Sequence, residues 1–112
     1  MNLTSTHVRY LLAIYRLTGA QDGVSSIEVA EHLGVKKASV SRMTPLLMEK
    51  GLVIKEKYSK LYLTDTGFLM AKHLFEQVDS LADLLQTRMQ LTRETAWKSA
   101  CAAVCELPLE NS

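Results

Sequence analysis

Apolar positions recur at three-to-four spacing along most of this chain, and two short β-prone runs interrupt that rhythm near its middle. From about Thr6 to Leu17, the residues Val8, Leu11, Leu12, Ile14 and Tyr15 form one apolar stripe, which predicts a first helix. Gly19-Ala20-Gln21-Asp22-Gly23 closes it with turn chemistry. Ser25-Ser26-Ile27-Glu28 then reads as a capping box, since the Ser25 hydroxyl can accept from the Glu28 amide while Glu28 reaches back. The short helix it opens is expected to turn Ile27, Ala30 and Leu33 inward. Gly34 suits the left-handed backbone of a sharp turn into a third helix, from about Lys37 to Lys50. That helix carries Val40, Met43, Thr44 and Leu47 on one face, and Ala38, Arg42, Pro45 and Glu49 on the other. Pro45 removes a hydrogen bond to the Ser41 carbonyl, at about 3 kcal/mol, so the segment either bends outward or splits into two short helices.

Gly51 stops the third helix. Leu52-Val53-Ile54 and Leu61-Tyr62-Leu63 flank Lys55-Glu56-Lys57-Tyr58-Ser59-Lys60, which together predict a hairpin with a charged tip. Thr64 caps a fourth helix reaching about Gln90. Its stripe of Ala71, Leu74, Phe75, Val78, Leu81 and Leu85, widened by Phe68, Leu84 and Met89, exceeds what a small core is expected to cover. A second copy packed on that stripe is the expected cover; the alternative is a last helix, about Arg93 to Cys105, folded over it. The fold class is thus mainly α: a winged helix-turn-helix with a two-stranded β wing, then a long dimerisation helix and a short C-terminal helix. The expected division is residues 1–64 for the winged helix-turn-helix and residues 65–112 for the helical dimerisation region.

The net charge of +1 hides a strong asymmetry. Residues 36–60 carry seven basic and two acidic groups, whereas residues 1–35 and 61–112 are each net negative. Positive charge confined to one short stretch fits a protein that meets phosphate with a single surface. Lys36, Lys37, Ser39 and Ser41 fall in the first turns of the third helix, and Arg42 sits centrally on its outer face, able to fork onto guanine. Lys55, Lys57 and Lys60 on the wing would contact phosphate, with Tyr58 against sugar or phosphate at its tip. No apolar run is long enough for a transmembrane helix, and the N-terminus lacks a signal-peptide pattern, so a cytoplasmic location without a membrane partner is expected. No nucleophile–base pairing, phosphate-cradling glycine loop or catalytic carboxylate pair is legible, which points away from an enzyme.

Five stretches carry a family likeness: Tyr10-Leu11-Leu12-Ala13-Ile14-Tyr15-Arg16-Leu17, Ile27-Glu28-Val29-Ala30-Glu31-His32-Leu33-Gly34-Val35, Ala38-Ser39-Val40-Ser41-Arg42-Met43, Glu49-Lys50-Gly51-Leu52-Val53 and Leu63-Thr64-Asp65-Thr66-Gly67. Together they resemble the diphtheria toxin repressor family, which includes the iron-dependent repressors and the manganese transport regulators. The resemblance implies a homodimeric repressor of double-stranded DNA with a pseudo-palindromic operator. It implies DNA contacts at Lys36, Ala38, Ser39, Ser41 and Arg42, and a divalent metal (Mn, Fe or Zn) that orders the first helix for binding. At the family's metal-ligand positions this chain has Arg9, Leu12, Val78, Trp97, Cys101 and Cys105, so most of the usual ligands are missing. A leucine and an arginine cannot replace carboxylates around a divalent ion. With a one-residue slip, Asp79 and Asp83 would join Cys101 and Cys105 in a softer, zinc-like site. The other expectation is a member that has lost the usual metal response. Full-length members extend further, so this chain is either naturally short or trimmed at its dimer interface. Two alternatives remain open: a winged-helix module that binds protein, and a thiol-responsive regulator using Cys101 and Cys105.

Overall fold

The structure, a computed structural model, describes residues 3–19, 23–56 and 60–107. Among the described residues, five helices and three short strands follow in the order α1 (Ser5–Thr18), β1 (Val24–Ser25), α2 (Ser26–Leu33), α3 (Lys37–Glu49), β2 (Val53–Lys55), β3 (Lys60–Leu63), α4 (Asp65–Met89) and α5 (Arg93–Glu106).

Capping chemistry sets most of the helix starts. The Ser25–Glu28 box forms as expected: the Glu28 amide donates to Ser25 Oγ and the Ser25 amide to Glu28 Oε1, each at 3.1 Å. A second box opens α1, where the His7 amide donates to Thr4 Oγ1 and the Thr4 amide donates to His7 Nδ1. Gly34 ends α2 at φ 69°, in the left-handed region that leaves a substituted residue strained. Pro45 lies within a single α3 on its exposed face, so the helix is not split in two. Its core face is Val40, Thr44 and Leu47, all buried, with the Thr44 hydroxyl donating to the Val40 carbonyl at 2.8 Å. On α2 the inward positions are Val29, Ala30 and the half-buried Leu33; Ile27 is 53% exposed, contrary to the sequence-based expectation.

The sheet has three antiparallel strands in the order β1-β3-β2, one more than expected. Val24 pairs with Leu61 and Ser25 with Lys60, while Val53, Ile54 and Lys55 pair with Leu63, Tyr62 and Leu61. The base of this wing is tied to both flanking helices. The Leu52 amide donates to the Leu47 carbonyl of α3, and the Thr64 amide donates to the Leu52 carbonyl at 3.1 Å. Thr64 Oγ1 accepts the Gly67 amide, capping α4, and donates to the Gly51 carbonyl at 2.6 Å.

The long helix α4 packs against α1 on one side and α5 on the other. Ala71, Leu74, Val78 and Ala82 of α4 meet Ala96, Ala100 and Val104 of α5 and Leu11 and Ile14 of α1 in one fully buried cluster. Small alanines at intervals of four on α5 let it lie close along α4. This corrects the expected dimerisation stripe. Ala71, Leu74 and Val78 are 0% exposed within the single chain, and Phe75, Leu81 and Leu85 are packed against its core. The large apolar residues that α4 leaves exposed are Phe68, Leu69, Leu84 and Met89.

Candidate nucleic-acid interface

The N-terminal half of α3 is open to solvent on one side: Lys36, Lys37, Ala38, Ser41 and Arg42 are exposed, and Ser39 is half-buried. Lys36 is the N-cap residue and supplies no capping side chain, so the first-turn amides of α3 have no side-chain acceptor. The Ser39 and Val40 amides donate to the Lys36 carbonyl, and the positive end of the helix dipole favours an anion there. Arg42 is exposed, and its Nη2 donates to Ser39 Oγ in a long contact of 3.5 Å. Of the wing residues, Lys55 is exposed at the end of β2 and Lys60 is half-buried at the start of β3. Lys57 and Tyr58 lie outside the described residues. The hydrogen bonds from the Leu52 and Thr64 amides tie the wing base to the C-terminal end of α3.

The expected metal candidates do not come together. Asp79 and Asp83, one turn apart on α4, both accept from a single guanidinium: Arg93 Nη2 donates to Asp79 at 2.5 Å and Nη1 to Asp83 at 2.6 Å. A cation there would have to displace Arg93, the first residue of α5. Cys101 and Cys105 hydrogen-bond to each other one turn apart on α5. The Cys105 thiol, together with Arg9 and Arg16, pulls the Cys101 thiol down to about 6, while the bond to Cys101 and burial raise that of Cys105. Val78 and Leu12 are both buried apolar side chains with no donor atom, so two further ligand positions implied by the resemblance hold no ligand. Among the described residues, no group of three or more His, Cys, Asp or Glu side chains is placed to hold a metal ion. The donors present therefore do not fit a divalent metal.

Between α1, α2, α4 and α5 lies a cavity of about 870 Å³ that sequence reasoning missed. Arg9 and Arg16 of α1, His32 of α2, Phe75 and Asp79 of α4, and Arg93, Trp97 and Cys101 of α5 line it. Arg16 sits over the Trp97 ring at 4.8 Å, and Phe75 packs between Trp97 and Tyr15. A second hollow, of about 320 Å³, shares Arg9 and Leu33 with this cavity and is also lined by Ser39 and Arg42. The acidic pair on α4 with an arginine just past the helix break was the legible signal for the α4–α5 clamp. Nothing in the spacing marked the cavity, whose walls come from four helices.

The family description "Iron dependent repressor, N-terminal DNA binding domain" matches residues 2–61, the segment holding α1 to α3, β1, β2 and the first half of β3. The chain belongs to the iron-dependent repressor family. That family consists of metal-dependent, DNA-binding transcriptional repressors and not of enzymes. Among solved structures, the hypothetical protein SSo2273 from Sulfolobus solfataricus is similar at 25% identity, with 96% of this chain and 82% of that one aligned and a TM-score of 0.67. The manganese regulator SloR shares the fold at 24% identity and a TM-score of 0.77, over 97% of this chain and 50% of its own. The apo form of the manganese-activated repressor ScaR aligns at 25% identity and a TM-score of 0.64, over 81% of this chain and 43% of its own. The chain thus spans about half the length of SloR and less of ScaR. No curated protein sequence matches it. Among the described residues, no helix is long and apolar enough to cross a membrane.

Proposed function

We propose that this chain is a cytoplasmic transcriptional repressor that binds a pseudo-palindromic duplex operator as a homodimer and has no enzymatic activity. One observation carries the reading. The exposed face of α3, with Lys36, Lys37 and Arg42, and the wing strand ending at Lys55 belong to the segment that matches the family's DNA-binding domain. In this reading α3 enters the major groove, which is about 12 Å wide and admits one helix. Arg42 reads a base edge, the first-turn residues Lys36, Lys37, Ala38, Ser39 and Ser41 hold the adjoining backbone, and Lys55, Lys57, Tyr58 and Lys60 fix the register on phosphate and sugar. Residues 1–64 carry the DNA contacts, and residues 65–112 carry the contact between copies. With Ala71, Leu74 and Val78 already covered, the exposed Phe68, Leu69, Leu84 and Met89 are the large apolar α4 positions left for that contact.

The reading also holds that manganese and iron do not gate this chain through Asp79, Asp83, Cys101 and Cys105, because Arg93 occupies both carboxylates. A second reading, thiol-responsive regulation, is favoured by the hydrogen-bonded Cys101–Cys105 pair beside Arg9 and Arg16. Replacing both cysteines by serine and measuring oxidant-dependent DNA binding separates the two.

The test is selection of bound duplexes from a random pool, then anisotropy titration of the selected site across salt concentrations, with the mass of the complex measured in parallel. The expected result is a pseudo-palindromic site, two protein copies per duplex and an affinity that falls steeply as salt rises. Charge reversal at Lys55, Lys57 and Lys60 should abolish binding. A protein that enriches no duplex, or whose triple charge reversal binds as well as the parent, is not a repressor of this kind.

A further inference from the structure

We infer that the cavity between α1, α2, α4 and α5 is a binding site for a small carboxylate with an apolar body. Its volume, about 870 Å³, falls within the range of small-molecule sites. Its charges decide the sign of the ligand. Arg93 is engaged by Asp79 and Asp83, and Lys98 by Glu94 at 3.3 Å. Arg9 and Arg16 also line the cavity, and neither has a carboxylate partner among the described residues. Because Arg93 is shared by two carboxylates, the surroundings are net positive while Cys101 is protonated and close to neutral once it is ionised; the positive charge that a ligand meets is local, on the α1 wall where Arg9 and Arg16 stand. His32 is held toward its neutral form by burial and then by Arg16, so it adds a hydrogen-bonding group without a charge.

The walls decide the body of the ligand. Phe75 and Trp97 lie with ring centres 5.0 Å apart, beside Leu33, and form an apolar wall next to the two guanidinium groups. Arg16 is already held over Trp97, so its planar fork is oriented before a ligand arrives. A carboxylate forked by Arg9 and Arg16, with its ring or short chain against Phe75 and Trp97, satisfies both parts of the lining. Inorganic anions lack the body, and divalent cations meet the wrong charge.

Position suggests the consequence. Arg9 and Leu33 also line the smaller hollow that holds Ser39 and Arg42 of α3, so a ligand that draws Arg9 inward alters the support of the DNA-facing helix. This consequence rests on the repressor reading; binding does not, and the two fail separately.

Trp97 is the only tryptophan of the chain and lines the cavity, so its fluorescence reports occupancy with no DNA present. The probes are phenylacetate, hexanoate, phenethylamine, inorganic phosphate and manganese chloride, each titrated at constant ionic strength. Phenylacetate and hexanoate should give saturable changes, and phenethylamine, phosphate and manganese should not. Arg9→Gln and Arg16→Gln should each weaken phenylacetate about tenfold or more, as expected for a lost charge-assisted hydrogen bond. Arg16→Lys keeps the charge without the fork and should fall between, guarding against a variant that merely misfolds. No saturable response to either carboxylate overturns the inference. So does phenethylamine, phosphate or manganese binding as tightly as phenylacetate, or unchanged affinity in folded arginine variants.

Discussion

Replacing Gly67 by alanine tests how the wing is docked, because two physical arguments give opposite signs. Gly67 lies in the first turns of α4, where alanine is worth about 1 kcal/mol over glycine by helix propensity alone. The structure reverses that expectation. A Cβ on Gly67 would stand 2.0 Å from the Leu52 carbonyl oxygen and 2.9 Å from its carbon, and real Cβ contacts essentially never fall below 3.0 Å. The helix must therefore withdraw from the wing by about 1 Å. The obstacle is backbone, which cannot rotate aside. The same Leu52 oxygen accepts the Thr64 amide at 3.1 Å, so withdrawal also loosens the first bond between wing and helix. Overpacking typically costs about 1–3 kcal/mol and a strained hydrogen bond about 0.5–1.5 more. After the propensity gain, a net loss of about 1–3 kcal/mol remains, which lowers the melting temperature by roughly 5–20 °C for a domain of this size. Urea unfolding followed by circular dichroism measures it. A Gly67→Ala protein as stable as the parent, or more so, would refute the contact between α4 and the wing base.

Gly34→Ala should also destabilise, by about 1–2 kcal/mol, but through left-handed backbone strain, since a Cβ there meets nothing within 4 Å. Gly34→Asn should recover part of that loss in a thermal melt, and equal losses for Ala and Asn would contradict the assignment. Alkylation of Cys101 by iodoacetamide should rise with a midpoint near pH 6, because its thiol is drawn down to about 6 by Cys105, Arg9 and Arg16. The thiolate reacts, so the rate grows as pH rises through that value, and in Cys105→Ala the midpoint should move up toward the usual thiol value of about 8.5. A parent midpoint already at that usual value counts against the pairing. Arg42→Ala should cost about 1–3 kcal/mol of operator binding and relax preference at one base position, whereas Lys55→Ala should weaken all sequences alike and reduce the salt slope by about one. Equal loss on every duplex for both variants would reject a base-reading role for Arg42.

Much of the fold is readable because local chemistry and periodicity agree. Ser25 with Glu28, Gly34, Gly51 and Thr64 mark the ends of elements by capping or left-handed backbone, and the structure uses each in that way. β1 escaped notice because two residues are too few for alternation to register, and its pairing with β3 is a long-range contact. The Thr4 cap was hidden because histidine replaces the usual acid at the third helical position. The α4 stripe was visible, but its partner was not. Alanines at 96 and 100 look nearly neutral in a hydrophobic pattern, yet they are fully buried because they let a helix approach closely. The surface of α3 could be read from charge and position. The cavity could not, because Arg9, Arg16, His32 and Trp97 are far apart in sequence and only packing gathers them.

The central claim is that α3 and the wing together form the face that meets DNA. Amide chemical-shift mapping by NMR, with the protein saturated by its selected duplex, tests it most directly. The account predicts the largest changes at Lys36 to Arg42 and around Lys55 and Lys60, with the outer faces of α4 and α5 little changed. Changes centred on α4 and α5, with the α3 amides unmoved, would contradict it.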